Sequence, residues 1–207
     1  MSLVEKPSQI RPKKQTFLGE MMNVVTGRQE DLPDGLYSKA ANYRHKVFVE
    51  QLGWQLQAFD NTEQDQFDRF DTVYVISHDE QGNISGCARL LPTTQPYLLG
   101  DVFPQLLNGM PPPNSPDVWE LSRFAAVDFN AKPSSASGQF SSPITIALLQ
   151  EAIAVAATYG AKRVITVSPV GVERLLKSAG FHAHRAGPPM IVDGHPIFAC
   201  WIETDVL

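Results

Sequence analysis

The sequence predicts an α/β fold: a three-layer α-β-α sandwich around a mixed, mostly antiparallel sheet. Three observations carry this. Apolar runs and helix-period stretches follow one another as strand, helix, hairpin, strand, helix, strand, helix, strand. A hairpin beside β-α-β crossovers excludes a purely parallel, doubly wound sheet. No G-x-G-x-x-G or G-x-x-x-x-G-K-[ST] run occurs, so the dinucleotide-binding and P-loop forms lack their phosphate-binding loops.

The elements are justified in order. Residues 1–15 read as a loose N-terminal extension, because their Pro, Lys and Gln content buries too little surface to offset ordering. Residues 16–207 then form a single domain. Phe17–Thr26 is a short apolar stretch and the expected opening strand. After Pro33-Asp34-Gly35, residues Leu36, Ala40, Tyr43 and Val47 recur at helical spacing to about Leu52, and Gly53 is a natural C′ residue. Residues 54–71 are polar and irregular. Thr72–Ser77 and Ile84–Leu91 flank a turn signal and predict a hairpin. A Pro-rich loop (110–116) leads to the strand VWELSRFAAV (118–127). Residues 130–142 are Ser-rich and read as a mobile loop. A buried helix then starts with Ser142 as N-cap and Pro143 at N1, and Gly160 follows its end. Arg163–Ser168 is a strand, Val172–Ala179 a short helix closed by Gly180, and Ile197–Ile202 the last strand.

Composition narrows the class. A chain of 207 residues, 43% hydrophobic and 19% charged, suits one globular domain with a sizeable core. A net charge of −5 argues against a dedicated nucleic-acid binder, which needs a basic surface. Cys87 and Cys200 lack metal-ligand spacing, so a reduced, cytoplasmic protein is expected. No run of 18 apolar residues predicts a membrane span, and MSLVEKPSQIRPKKQ lacks the apolar core of a secretory signal.

Charges in apolar surroundings mark the candidate site. Glu120, Ser122 and Arg123 interrupt a strand, and Arg89 lies inside ISGCARLL. Arg44 and Phe48 share one helix stripe. Trp54 follows the helix end. Asp68 and Asp71 precede a strand in QFDRFDTVYV, and Phe103 sits in LGDVFPQLL. One such residue at a time reads best as a satisfied ion pair. The whole set is costly to bury for stability alone, since apolar replacement of buried pairs is often neutral or better.

Two resemblances follow. LLKSAGF (175–181), before a final strand, resembles the C-terminal part of the N-acetyltransferase (GNAT) fold. YRHKVFVEQLGWQL, FDRFDTVYV, GCARLLPTT and WELSRFA resemble the motifs of the LuxI-type acyl-homoserine-lactone synthases, from about Met21 to the C-terminus. The positions that carry it are Arg44, Phe48, Trp54, Asp68, Asp71, Arg89, Phe103, Glu120, Ser122 and Arg123. The first roughly 20 residues look like an addition to the family pattern, and the segment from Trp54 to Asp68 looks a few residues longer than in some members.

The resemblance implies a reaction. S-adenosylmethionine is acylated on its amine by an acyl thioester, on acyl-carrier protein or coenzyme A. Its carboxylate then attacks its own γ-carbon, closing a lactone and releasing methylthioadenosine. S-adenosylmethionine is thus a substrate, and neither cofactor nor metal is expected. Glu120 is the candidate base, and by resemblance Asp68 aligns the amine. Arg123 or Arg44 suits the substrate carboxylate. Phe48, Trp54, Phe103, Asp68 and Asp71 suit the sulfonium and adenine, and Arg89 belongs to the same binding set. A generic acyl-CoA N-acyltransferase is the alternative. The sequence after Val127, DFNAKPSSASG, lacks the glycine-rich pyrophosphate loop that this alternative wants. A non-catalytic binding protein is disfavoured by the intact set of ten.

The strand at 118–127 poses a geometric problem, because residues 120 and 123 of a regular strand point to opposite faces. Either a bulge re-aims one of them, or Glu120 and Ser122 face substrate while Arg123 pairs with Asp71 behind. The GNAT fold is known for a splay at its central strand that admits a thioester's pantetheine arm. Ile146, Leu149, Ile153, Val164 and Thr166 line an acyl tunnel or simply pack the core. Lys162, Arg163, Arg174, Lys177 and Arg185 form either a docking patch for an acidic carrier protein or a solvated face. Cys87 reads as a small buried apolar residue.

Overall fold

The computed structural model describes residues 13–17, 20–79, 81–130 and 143–205. The expectations for residues 1–12, for the Ser-rich loop over 131–142 and for the Ser142 cap lie outside them. The chain opens with β1 (Lys13–Phe17) and β2 (Glu20–Arg28), an antiparallel pair. The strand expected over Phe17–Thr26 is β2, which begins three residues later and ends two residues later, and its partner β1 begins within residues read as extension. α1 (Leu36–Arg44) runs without a break into a π-helix, His45–Gln51, which ends before Gly53 at φ +69°. The polar stretch that follows is not wholly irregular. It contains the small hairpin β3 (Ala58–Phe59) and β4 (Thr62–Glu63) around Asp60 and Asn61, both at positive φ. An Asx-rich two-residue turn of that kind matches strand twist.

The expected hairpin is β5 (Val73–His78) with β6 (Ile84–Pro92). A short helix, α2 (Leu98–Val102), and a 3₁₀ turn (Pro104–Leu107) fill the segment before β7 (Val118–Ala125). Then come α3 (Pro143–Thr158), β8 (Arg163–Pro169), α4 (Gly171–Ser178), β9 (Ala183–Arg185), β10 (Met190–Val192) and β11 (His195–Glu203).

The main sheet runs β1-β2-β5-β6-β7-β8-β11-β10, with β9 also on β11. Of its described pairs, β7–β8 alone is parallel. That is the mixed, mostly antiparallel sheet the sequence predicts. Strand alternation sorts the side chains into layers. Val73, Val75, Ala88, Leu90, Trp119, Leu121 and Val164 face α3 and α4. Tyr74 and Ile76 face α1, while Leu91, Val118 and Ile165 pack with Leu99 of α2. One layer of helices therefore covers each face, and the charged residues lie on the α1/α2 side.

Two irregularities shape that side. Between β6 and β7, Arg89 pairs with Ser122 but Cys87 pairs with Ala125, so β7 carries one extra residue there. Arg123, inside this bulge, has φ +50°. Between β7 and β8 the pairing stops at Leu121 and Thr166, although both strands continue. The two strands splay apart beyond that rung. Among the described residues, no helix is long and apolar enough to cross a membrane.

Candidate active site

The bulge resolves the problem of Glu120 and Arg123. Without it Arg123 would lie with Leu121 beneath α3. The extra residue turns it to the α1/α2 face, where Glu120, Ser122 and Arg89 already point. The alternative, Arg123 paired with Asp71, does not occur. Asp71 bonds Arg69 at 3.0 Å instead, and Arg69 also donates to the Pro96 carbonyl at 2.6 Å.

Three arginines and three carboxylates interlock above the bulge. Arg44, at the end of α1, bonds Glu63 and grips Asp68 with both terminal nitrogens, at 2.7 and 3.0 Å. Arg89 grips Asp65 at 2.6 and 3.1 Å and donates to the Ser122 hydroxyl at 3.1 Å. Arg123 reaches Glu63 at 2.9 Å and Asp65 at 2.8 Å. Asp68 also accepts the Tyr74 hydroxyl at 2.9 Å and lies 3.3 Å from Arg89. The formal charges of the six groups cancel. Burial alone would raise the Asp68 pKa, but the Arg44 hydrogen bonds, the Arg44 and Arg89 charges and the Asp65 amide outweigh it. Asp68 is thereby held far below the usual carboxylate range.

The cluster holds part of the sequence-based set and two further carboxylates. Asp68, Arg44, Arg89 and Arg123 come together as expected. Asp71 stands outside, and Glu63 and Asp65 take places that no motif assigned them. The turn signal was present in Asp60-Asn61, which puts Glu63 at the end of a hairpin strand. Asp65, Asp68 and Asp71 are spaced three apart, so spacing alone does not choose among them.

Aromatic groups flank the cluster. Phe48 is buried, and Trp54 stacks on it with ring centroids 5.0 Å apart and planes 23° apart. The π-helix makes this possible, because its widened end lets the Trp54 amide bond the Phe48 carbonyl at 2.9 Å. The Arg123 guanidinium carbon lies 5.8 Å from the Phe48 ring centre. Phe103, just past α2, is half-buried against Phe67 and its neighbours.

Glu120 differs from the other carboxylates. It is fully buried, and its oxygens accept the amides of Leu98 (3.0 Å) and Leu99 (2.6 Å) at the start of α2. Burial pushes its pKa up to about 7, against the pull of those amides and of Arg89 and Arg123.

The acyl-tunnel candidates lie on the other side of the sheet. Leu149, Ile153 and Val164 are core residues between α3 and the sheet, and Ile146 is partly buried against them. Thr166 is buried at the last β7–β8 rung, where the splay begins. The basic residues do not form one patch. Arg163 stacks on Trp201, which packs towards α2, at 4.2 Å. Arg185 lies over Phe198, in the core beneath α3, and with Lys177 pairs to Glu173. Lys162 pairs with Asp117. The Cys87 thiol is buried and donates to the Arg123 carbonyl at 3.2 Å, a structural contact.

Known proteins resemble this chain in sequence and fold. Residues 34–206 match the family model described as autoinducer synthase. An acyl-homoserine-lactone synthase of Acinetobacter nosocomialis is 62% identical over 183 residues, 88% of this chain and all of that protein. The crystal structure of TofI in a ternary complex with an inhibitor and MTA is 45% identical at a TM-score of 0.75, covering 88% of this chain and 91% of that one. An acyl-CoA N-acyltransferase from Pseudomonas aeruginosa has a TM-score of 0.58 at 15% identity, covering 87% of this chain and 98% of that one, a likeness of fold alone.

Proposed function

The chain belongs to the autoinducer synthase family, whose acyltransferases make acyl-homoserine-lactone signals, and from that premise we propose how its own residues recognise and join the two substrates. One observation carries the reading: a buried, charge-balanced cluster of three arginines and three carboxylates bounded by aromatic rings. The amino-acid end of S-adenosylmethionine is a zwitterion. Entering such a cluster, it adds one cation and one anion and leaves the balance intact. Its ammonium meets Asp65 or Asp68, and its carboxylate meets Arg44 or Arg123. The sulfonium and adenine lie against Phe48, Trp54 and Phe103, whose ring faces attract cations.

The acyl thioester enters through the splay between β7 and β8. Backbone groups of Ser122 to Ala125 on that side have no β8 partner, so they are available to a pantetheine arm and to the developing oxyanion. The arm is common to acyl-carrier protein and coenzyme A. Thr166 and the α3 residues Ile146, Leu149 and Ile153, with Val164, receive the acyl chain beneath the sheet. The ammonium first gives up one proton to solvent; the amine nitrogen then bonds to the thioester carbon, the carbon–sulfur bond breaks, and the second amine proton goes to the sulfur, so that the carrier leaves as its thiol. A substrate carboxylate oxygen then displaces the sulfonium from the γ-carbon, closing the lactone and releasing methylthioadenosine. The MTA bound to TofI agrees with that last step.

Calorimetry with S-adenosylmethionine tests the recognition scheme. Asp65→Asn is expected to weaken binding at least about tenfold, as for loss of a buried charged partner, and Asp71→Asn less than about threefold. Equal losses would place the amine elsewhere.

A further inference from the structure

We propose that Glu120 is a positioning residue, the clamp that fixes α2 and through it Phe103, and not the base that removes the amine proton. The inference rests on the S-adenosylmethionine reading above and departs from the role the sequence suggested for this residue.

The geometry is that of a clamp. Glu120 sits two residues before Ser122 on β7, on the same face and opposite Leu91, with no exposed surface. Each oxygen holds one of two consecutive amides, those of Leu98 and Leu99, at the first turn of α2. A helix start leaves such amides without partners inside the helix. α2 has only five residues, too few to hold itself together. It leads directly into Phe103, and Phe103 and Leu99 pack in the same cluster as Phe67. Phe67 in turn lies against the Arg89 guanidinium, and its amide bonds Asp65. The carboxylate is thus connected to the binding cluster through α2, and it has no exposed surface of its own. A base must come within hydrogen-bond reach of the proton it takes, and both oxygens of Glu120 already serve backbone amides.

Other contacts join the same loop. Tyr97 bonds the Pro113 carbonyl at 2.7 Å, and Arg69 bonds the Pro96 carbonyl at 2.6 Å. Glu120 holds the loop from the sheet side. The charged and titratable groups that act on it are Arg89 on β6 and Arg123 on β7, with Tyr97 before α2.

The test separates clamp from base in the full-length enzyme. Glu120→Gln keeps one acceptor and cannot act as a carboxylate base. The clamp predicts that S-adenosylmethionine affinity falls about tenfold while kcat at saturation changes less than about threefold. It also predicts that adding Glu120→Gln to Phe103→Ala weakens binding by less than about twofold further, because coupled residues are not additive. The acid limb of the kcat–pH profile stays in place. A kcat loss of about 100-fold or more, the range of general-base catalysis, overturns the proposal whatever binding does, as does full additivity with Phe103→Ala. If Glu120→Gln fails to fold by circular dichroism, Leu98→Pro is the substitute. It removes one clamped amide at a helix position that accepts proline and leaves the carboxylate intact. Weakened S-adenosylmethionine binding in that variant supports the clamp, and unchanged binding overturns it. Failure of the wild type itself to bind S-adenosylmethionine would instead sink the reading on which the inference rests.

Discussion

Glu63 joins two arginines that come from different elements, Arg44 at the end of α1 and Arg123 in the β7 bulge. Its side chain is completely buried. Glu63→Ala leaves both cations short of a partner, and the expected loss of stability is about 3–5 kcal/mol, the range for breaking a buried pair. Asp71→Ala removes a partly exposed pair with Arg69 and is expected to cost less than about 1 kcal/mol. Denaturant unfolding of the two variants checks the contrast. Glu120 makes a separate prediction about pH. Its folded pKa, about 7, lies above the ordinary value of 4.5. The folded state therefore holds this proton more tightly than the unfolded chain does. Stability contributed at low pH is lost as pH rises from about 4.5 to about 7, by at most about 3 kcal/mol. Unfolding free energies at pH 5 and 7.5 should show that fall in the wild type and not in Glu120→Gln. The arginines of the site were legible because a charge inside a strand or on a buried helix stripe stands out. The carboxylates were less so. In QDQFDRFDT, three aspartates share one spacing and only the folded loop distinguishes Asp65 from Asp71.

Elements were legible where a period or a cap announced them. The β5–β6 hairpin, β7, β8 and α4 lie within two residues of expectation, because strand alternation, apolar runs and Gly180 mark them. The π-turn after α1 was not, since i→i+4 and i→i+5 bonding suit the same apolar residues. It matters for the candidate site because it brings Trp54 back over Phe48. α2 was missed for a different reason. Five residues carry no periodicity, and a residue 22 positions away supplies the cap for its start. Trp54→Ala is expected to weaken S-adenosylmethionine binding more than acyl-donor binding, as measured by calorimetry with each ligand alone. A loss confined to the acyl donor would mean that the two ends of the cleft are reversed.

At the scale of the molecule, the sheet divides the work. Its α1/α2 face holds the charged cluster, its α3 face holds an apolar layer, and the splay between β7 and β8 links them. The bulge and the splay are local departures from regular pairing, and both fall on β7. That concentration explains why a fold class was readable from pattern while the site needed geometry. The sheet's outer edge gives a boundary test. We propose that residues 1–12 lie outside the working domain, so their removal should leave activity and thermal stability close to wild type. Removal through Phe17 also strips β1 from β2 and should lower stability measurably by thermal unfolding.

The most direct test is mass spectrometry of the products formed from S-adenosylmethionine and an acyl thioester, supplied on acyl-carrier protein in one reaction and on coenzyme A in another. The account predicts acyl-homoserine lactone and methylthioadenosine in equal amounts with at least one of the two donors, and a parallel fall of both products in Asp65→Asn at limiting S-adenosylmethionine. An acylated amine that keeps its sulfonium, with no lactone and no methylthioadenosine, would contradict it.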